Sequence, residues 1–262
     1  MGTAPPQGGL GPYSPGGSRS PEEWGRIPDP GEPTQVDRLP VTPAELLGPL
    51  SDLERRFAPD LLYASGVLRL PLPHPRVAVV GTRSPSEGGR AAARQIASEL
   101  ASRGVIVVSG LAEGVDTLAH TGALSAGGST LAVLGTPLSR VYPATNRDLQ
   151  HRIMERHLAV SQFPDGYPVR PGNFVMRNRV MALISDATVI VESGERGGSL
   201  HQGWEAIRLG RPLFLRHAVL ADPNLRWPKE MQRYGAVGFQ EAAEILDFVP
   251  SVRSELRVEG MG

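Results

Sequence analysis

The chain has 262 residues, and its 27 Lys and Arg are matched by 27 Asp and Glu. No overall positive charge draws a polyanion toward it, so a nucleic-acid site here has to be a local concentration of cations. The absence of cysteine excludes disulfides, thiolate nucleophiles and cysteine-ligated zinc, and suits a reducing cytoplasm. No apolar run approaches the roughly 18 residues that span a bilayer. The N-terminus lacks the basic-then-apolar pattern of a secretion signal. The expectation is a cytoplasmic protein with no membrane partner. Lys229 is the only lysine; because the arginine bias covers the whole chain, it reads as genome composition and not as the mark of one site.

Residues 1–40 are rich in Pro, Gly and Ser and poor in large apolar side chains. They read as a disordered tail that cannot bury enough surface to offset its ordering entropy. Residues 41–75 form a short helical segment leading into the core, with Leu46, Leu47, Leu50, Leu53 and Phe57 at helical spacing. From Arg76 the pattern changes. Short apolar runs at 76–81, 105–110, 129–135, 158–163, 187–192 and 212–215 predict six strands. Stretches over 87–102, 115–126, 146–156, 176–184 and 200–209 predict the helices between them, with a Pro/Gly-rich loop before Met176. Strands that are continuous apolar runs alternating with helices predict a Rossmann-like α/β fold over 76–249. Its sheet is doubly wound and mostly parallel, with helices on both faces. Short helices are expected at 229–234 and 240–246, and a loose tail over 250–262.

In an open parallel sheet, ligands bind beyond the carboxyl ends of the strands. Three strand ends carry glycine- and hydroxyl-rich loops that lead into helices: GTRSPSEGG from Gly81, SGLAEGVD from Ser109 and ESGERGGS from Glu192. Glycine lets a phosphate approach the main chain, and free amides at a helix start attract anions. One such loop reads equally well as a tight turn; three at one edge favour an anion site. None is a Walker A or GxGxxG motif, so no nucleotide cofactor is expected. A second cluster, RPGNFVMRNR from Arg170 to Arg179, combines arginines for phosphate, asparagines for base or sugar edges and Phe174 for stacking, the mixture that single-stranded nucleic acid requires. Alternatively, Phe174 is core and the arginines a solvated helix start, although three cations there oppose the macrodipole. Asp116 and His120, four apart on one helix, lack a third metal ligand and read as an early-helix acid and a hydrogen-bonded histidine. Ser199 and His201 lack a nucleophile elbow. No catalytic or metal site is expected.

VAVVGTRSPSEGGR (77–90), VVSGLAEGVDTLAH (107–120), LAVLGTPLSRVYPATN (131–146), SQFPDGYPVRPGNFVMRNRVMALIS (161–185) and VIVESGERGGSLHQG (189–203) stand in this order. Over about residues 60–247 the chain resembles the DNA-processing protein A family (DprA, also called Smf). The resemblance implies a homodimeric, non-enzymatic protein that binds single-stranded DNA, protects incoming or processed DNA and helps load the recombinase RecA in natural transformation. It implies DNA contacts from Gly81, Thr82 and Arg83, with Arg83 as the phosphate-binding arginine. Ser109, Gly110, Gly197, Gly198 and Ser199 would line the same pocket, and Arg170, Asn173, Phe174, Arg177, Asn178 and Arg179 would face the strand. The sequence departs from the family in three respects. It has no recognisable winged-helix domain after the core, it has a Pro/Gly-rich stretch where many members have a helical domain, and it has HQGW at 201–204.

Two other functions compete. A phosphoribohydrolase of the lysine-decarboxylase-like (LOG) class would need an acid three residues after Ser199, where Gln202 stands; Glu205 lies about a further turn away. A nucleotide-sensing module would use the glycine loops but has no need of the Arg170–Arg179 cluster.

Overall fold

The structure is a computed structural model that describes residues 39–249. Of the two tails, residues 1–38 and 250–262 lie outside the described residues, whereas Leu39 and Pro40, at the end of the tail expected over 1–40, are part of a strand paired into the sheet. In chain order the elements are β1 (Leu39–Val41), α1 (Pro43–Leu47), α2 (Asp52–Phe57), β2 (Leu62–Gly66), β3 (Arg76–Val80), α3 (Glu87–Ser102), β4 (Ile106–Ser109), α4 (Val115–Ser125) and β5 (Thr130–Leu134). They continue with α5 (Arg147–Arg156), β6 (Leu158–Ser161), α6 (Pro171–Ile184), β7 (Ala187–Ile190), α7 (Gly198–Arg208), β8 (Leu213–Arg216), α8 (His217–Leu220), α9 (Trp227–Arg233), β9 (Val237–Phe239) and α10 (Ala242–Leu246).

The six apolar runs pair in parallel as the central strands of a nine-stranded sheet, ordered β1-β2-β6-β5-β4-β3-β7-β8-β9. Alternate residues feed opposite faces. Ala78, Val80, Val108, Leu131 and Val160 pack under α6 and α7, with Met181 and Ile184. Val77, Val79 and Val107 pack under α3 and α4, with Ile96, Leu100 and Ala119. Ala132, Leu134 and Ala159 meet Ile153 of α5. Both faces are covered, which is why the strands carry no polar alternation. From β3 the chain winds through β4, β5 and β6 to one side, then crosses to the other to lay down β7. The topological switch point therefore lies between β3 and β7.

The stretch 41–75 is not one helical lead-in, and the domain does not begin at Arg76. β1 and β2 extend the sheet by antiparallel pairing against β6. The helix expected there splits because Gly48 adopts φ +85° before Pro49, a conformation that ends a helix. Each piece carries its own capping box, Thr42 with Glu45 and Ser51 with Glu54. β9 was hidden by its three-residue length. α6 starts at Pro171 and not near Met176, with the proline at the first helical position. No helix among the described residues is long and apolar enough to cross a membrane.

His120 is buried, and its Nδ1 lies 2.7 Å from the Thr130 hydroxyl, which itself donates to the Val107 carbonyl at 2.7 Å. The ring therefore donates from Nδ1 and stays neutral. Burial pushes its pKa down to about 3. His157, also buried, is pushed down to about 4 by burial and by Arg152 and Arg156. Both rings bind a proton less readily folded than unfolded, so the unfolded chain takes up more protons below the ordinary value near 6.5. Their contribution to stability is complete above that pH and is lost as pH falls toward 4. Each ring contributes a slope of up to about 1.4 kcal/mol per pH unit. Urea midpoints measured from pH 7 to pH 4 should fall, and His157→Gln should flatten that fall.

Candidate nucleic-acid interface

Because β3, β4 and β7 are parallel neighbours, their three glycine-rich loops leave the sheet at one edge. Between them, astride the switch point, lies a cleft of about 320 Å³. Thr82 and Arg83 line it from the β3 loop, Ala112 and Asp116 from the β4 side, Arg196 to Ser199 from the β7 loop, and Phe174, Arg177 and Asn178 from α6.

The loops are cross-tied. The backbone amide and hydroxyl of Ser86 donate to the Glu192 carboxylate at 2.8 and 2.6 Å, and the Thr82 amide donates to the Glu192 carbonyl at 2.8 Å. Glu192, which the sequence reading passed over, therefore fixes the β3 loop to the β7 loop. Beyond β4, Leu111 is buried with φ +57°, a left-handed conformation that is costly for a branched residue. Asn146 holds that turn, its Nδ2 donating to the Leu111 carbonyl at 2.9 Å and to the Thr117 hydroxyl at 2.8 Å.

The three helix starts differ. Ser86 caps α3, and the first amide of α4 donates to the Thr82 carbonyl. α7 begins at Gly198, and its cap residue Gly197, like Gly114 before α4, supplies no side-chain cap. Gly197, Gly198 and Ser199 line the cleft, so the start of α7 faces it.

Arg177 is only 6% exposed, its Nη1 3.6 Å from Asp116 Oδ2. Its Nε and Nη1 have no hydrogen-bond partner. Burial raises the Asp116 pKa, with Arg177 opposing the rise, and burial lowers that of Arg177. The guanidinium nevertheless keeps its proton, since arginine does not deprotonate in proteins. The cleft is thus backed by a buried Arg177–Asp116 ion pair. Arg83 and Arg196 stand exposed at its mouth and form no ion pair among the described residues. Phe174 is half-buried, its ring 5.3 Å from that of Tyr142.

The structure brings Gly81, Thr82, Arg83, Phe174, Arg177, Asn178, Gly197, Gly198 and Ser199 to the cleft. Gly110 is absent from the cleft lining and packs against the Arg177 guanidinium. Four further expected residues lie elsewhere. Ser109 is fully buried and donates to the Val79 carbonyl at 2.7 Å. Asn173 is buried and donates to the Pro168 carbonyl at 3.0 Å. Arg179 projects away, 3.6 Å from Glu205 and stacked 5.9 Å over Phe57. Arg170 is the exposed cap residue of α6 and is absent from the cleft lining. Arg177 and Arg179 lie about 1.7 and 2.2 turns past Pro171, so a three-arginine cluster opposing the macrodipole does not exist. Their spacing carried the signal: residues two apart on a helix do not share a face. Asp116 and His120 also part company, to Arg177 and Thr130.

A Cβ at Gly110 would lie 1.0 Å from Arg177 Nη1. Gly110→Ala must therefore displace the guanidinium from Asp116, at a cost of about 1–3 kcal/mol by overpacking. Urea denaturation measures it, and an unchanged midpoint would show that the guanidinium moves freely.

Residues 48–250 match the family model described as DNA recombination-mediator protein A. The chain is 29% identical over 192 residues to the DNA processing protein DprA of Bacillus subtilis, covering 73% of this chain and 65% of the relative. It is 35% identical over 190 residues to the protein Smf of Escherichia coli, covering 72% and 50%. It spans between half and two thirds of the length of these relatives. The crystal structure of DNA processing protein A from Streptococcus pneumoniae superposes with a TM-score of 0.69 at 29% identity, over 82% of this chain and 75% of that one. DNA processing protein A from Helicobacter pylori, described for its single-stranded DNA binding mode, shares the fold with a TM-score of 0.65 at 23% identity, over 83% and 96%. The chain belongs to the DNA recombination-mediator protein A family.

Proposed function

We propose that the protein is a non-enzymatic, DNA-processing protein that holds single-stranded DNA in the cleft at the β3–β7 switch point. As in the activities its family resemblance implies, it would act as a cytoplasmic homodimer that shields the strand and delivers it to RecA. The observation that carries this reading is the convergence on one cleft of the exposed Arg83 and Arg196 and the start of α7, which has no side-chain cap, in front of the buried Arg177–Asp116 pair. A phosphate entering there meets the guanidinium groups of Arg83 and Arg196 at the mouth and the main-chain start of α7 together. The half-buried Phe174 offers a face on which a base can stack only when it is unpaired, which favours a single strand over a duplex.

A phosphoribohydrolase reading is less well supported. Gln202 is buried and donates to the Thr188 hydroxyl at 3.2 Å. Glu205 is held by Arg208 at 3.1 Å and Arg179 at 3.6 Å, outside the cleft lining. The one carboxylate that lines the cleft, Asp116, faces Arg177. A general base needs a carboxylate free to reach substrate.

Fluorescence anisotropy with single-stranded and duplex oligonucleotides at two salt concentrations tests the proposal, which predicts tighter single-strand binding that weakens with salt. Arg83→Ala should cost about 1.5–3 kcal/mol of affinity and lower the salt slope by about 0.7. Phe174→Ala should cost about 1–3 kcal/mol. Arg179→Ala should leave DNA affinity unchanged and lower the melting temperature, since its partners are Glu205 and Phe57. A mononucleotide that saturates the site and blocks oligonucleotide binding at equal affinity would favour a nucleotide sensor instead.

A further inference from the structure

We infer that a bound strand leaves the cleft across Tyr142 and continues into a second, separate hollow on the β5–β6 side, which holds further nucleotides. This rests on the DNA-binding reading above and adds the direction and extent of the strand's path. The cleft has a neighbouring hollow on each side. Toward β8 lies one of about 510 Å³ that shares Thr82, Ser193 and Gly194 with the cleft. Toward β5 and β6 lies one of about 500 Å³, lined by Pro137, Arg140, Val141, Arg147, Tyr167 and Pro168 among others. It shares no lining residue with the cleft, but Tyr142, which follows Val141 of its wall, has its ring 5.3 Å from that of Phe174 in the cleft.

Size does not choose between them, but charge does. The β8-side hollow sets Arg216 against Glu192 and Asp222. The other has Arg140 and Arg147, both exposed, and no carboxylate in its lining. Asp165, near its edge, accepts the Ser139 hydroxyl at 2.5 Å. Arg147 is moreover the first residue of α5, with Asp148 beside it in the same turn.

The aromatic residues point the same way. Tyr142 is 46% exposed and Tyr167 41%. Each ring is backed by another, Phe174 at 5.3 Å and the buried Phe163 at 5.0 Å. Exposed rings held from behind are platforms for stacking, and arginines beside them supply the phosphate contacts.

The walls are also held in place. Thr136 donates to the Arg140 carbonyl at 2.9 Å, and the buried Gln150 reaches the carbonyls of Leu138 and Arg140 at 3.3 and 3.4 Å. Asn173, one residue before Phe174, holds Pro168. A wall already ordered costs little to bind.

The test titrates oligothymidylates of about four and about twenty nucleotides into the full chain and into Tyr142→Ala, Tyr142→Phe, Arg147→Ala and Arg216→Ala. For the long oligomer, Tyr142→Ala should weaken binding about tenfold and Tyr142→Phe should restore it. Arg147→Ala should lower the salt slope by about 0.7 for the long oligomer only. Arg216→Ala should change neither. Arg147 is exposed, so its variant decides the matter if Tyr142→Ala does not fold. Short-oligomer binding that persists and depends on Arg83, with long-oligomer binding indifferent to Tyr142 and Arg147, would overturn the path and leave the cleft reading intact. A loss confined to Arg216→Ala would reverse the direction. Failure of the unaltered protein to bind either oligomer would remove the cleft reading itself.

Discussion

Parallel pairing of β3, β4 and β7 is the constraint on which the site depends. A parallel strand is reached only after the chain has crossed back over the sheet, so every strand-to-helix loop in the set emerges at the same edge. Where the winding reverses, between β3 and β7, the two adjacent loops diverge toward helices on opposite faces and leave a gap. The cleft is that gap. Glu192 holds its two sides together, Asn146 supports the turn beyond β4, and Gly110 makes room for the guanidinium at its back.

Charge follows from the same arrangement. A chain with equal numbers of acids and bases attracts a polyanion only where the fold separates them. Here the separation is local. Glu192 is occupied by Ser86, Glu205 by two arginines and Asp116 by Arg177. Arg83 and Arg196 remain exposed at the cleft mouth, and Arg140 and Arg147 in the hollow beyond Tyr142. The buried Arg177 already has Asp116 as its counter-ion, so the uncompensated charge of the cleft is that of Arg83 and Arg196 at its mouth.

Much of the architecture was legible because buried parallel strands carry an unmistakable apolar signature. Six central strands, and the helices between them, follow from it. What escaped were short or marginal elements. β1 and β9 have three residues each, too few for any period to register, and β2 was absorbed into a helical reading. The leucines from 46 to 53 are spaced for one helix, but Gly48 and Pro49 divide it, and local backbone preference overrode the side-chain pattern. The start of α6 is masked by Pro171, whose loop-like surroundings obscure that proline is favourable at a first helical position.

The sequence by itself determined the alternation of strand and helix, the glycine-rich loops and the supply of arginine, since these depend on local composition and on periods of two and 3.6 residues. It also contained the fact that Arg177 and Arg179 cannot face the same way. Only the tertiary structure decided which of them turns inward, because that depends on how α6 is rotated against the sheet, and Met181 and Ile184 fix that rotation by packing on the strands beneath. The same rotation gives Asn178 to the cleft and Asn173 to the loop beside it, a distinction that residue type and spacing do not carry.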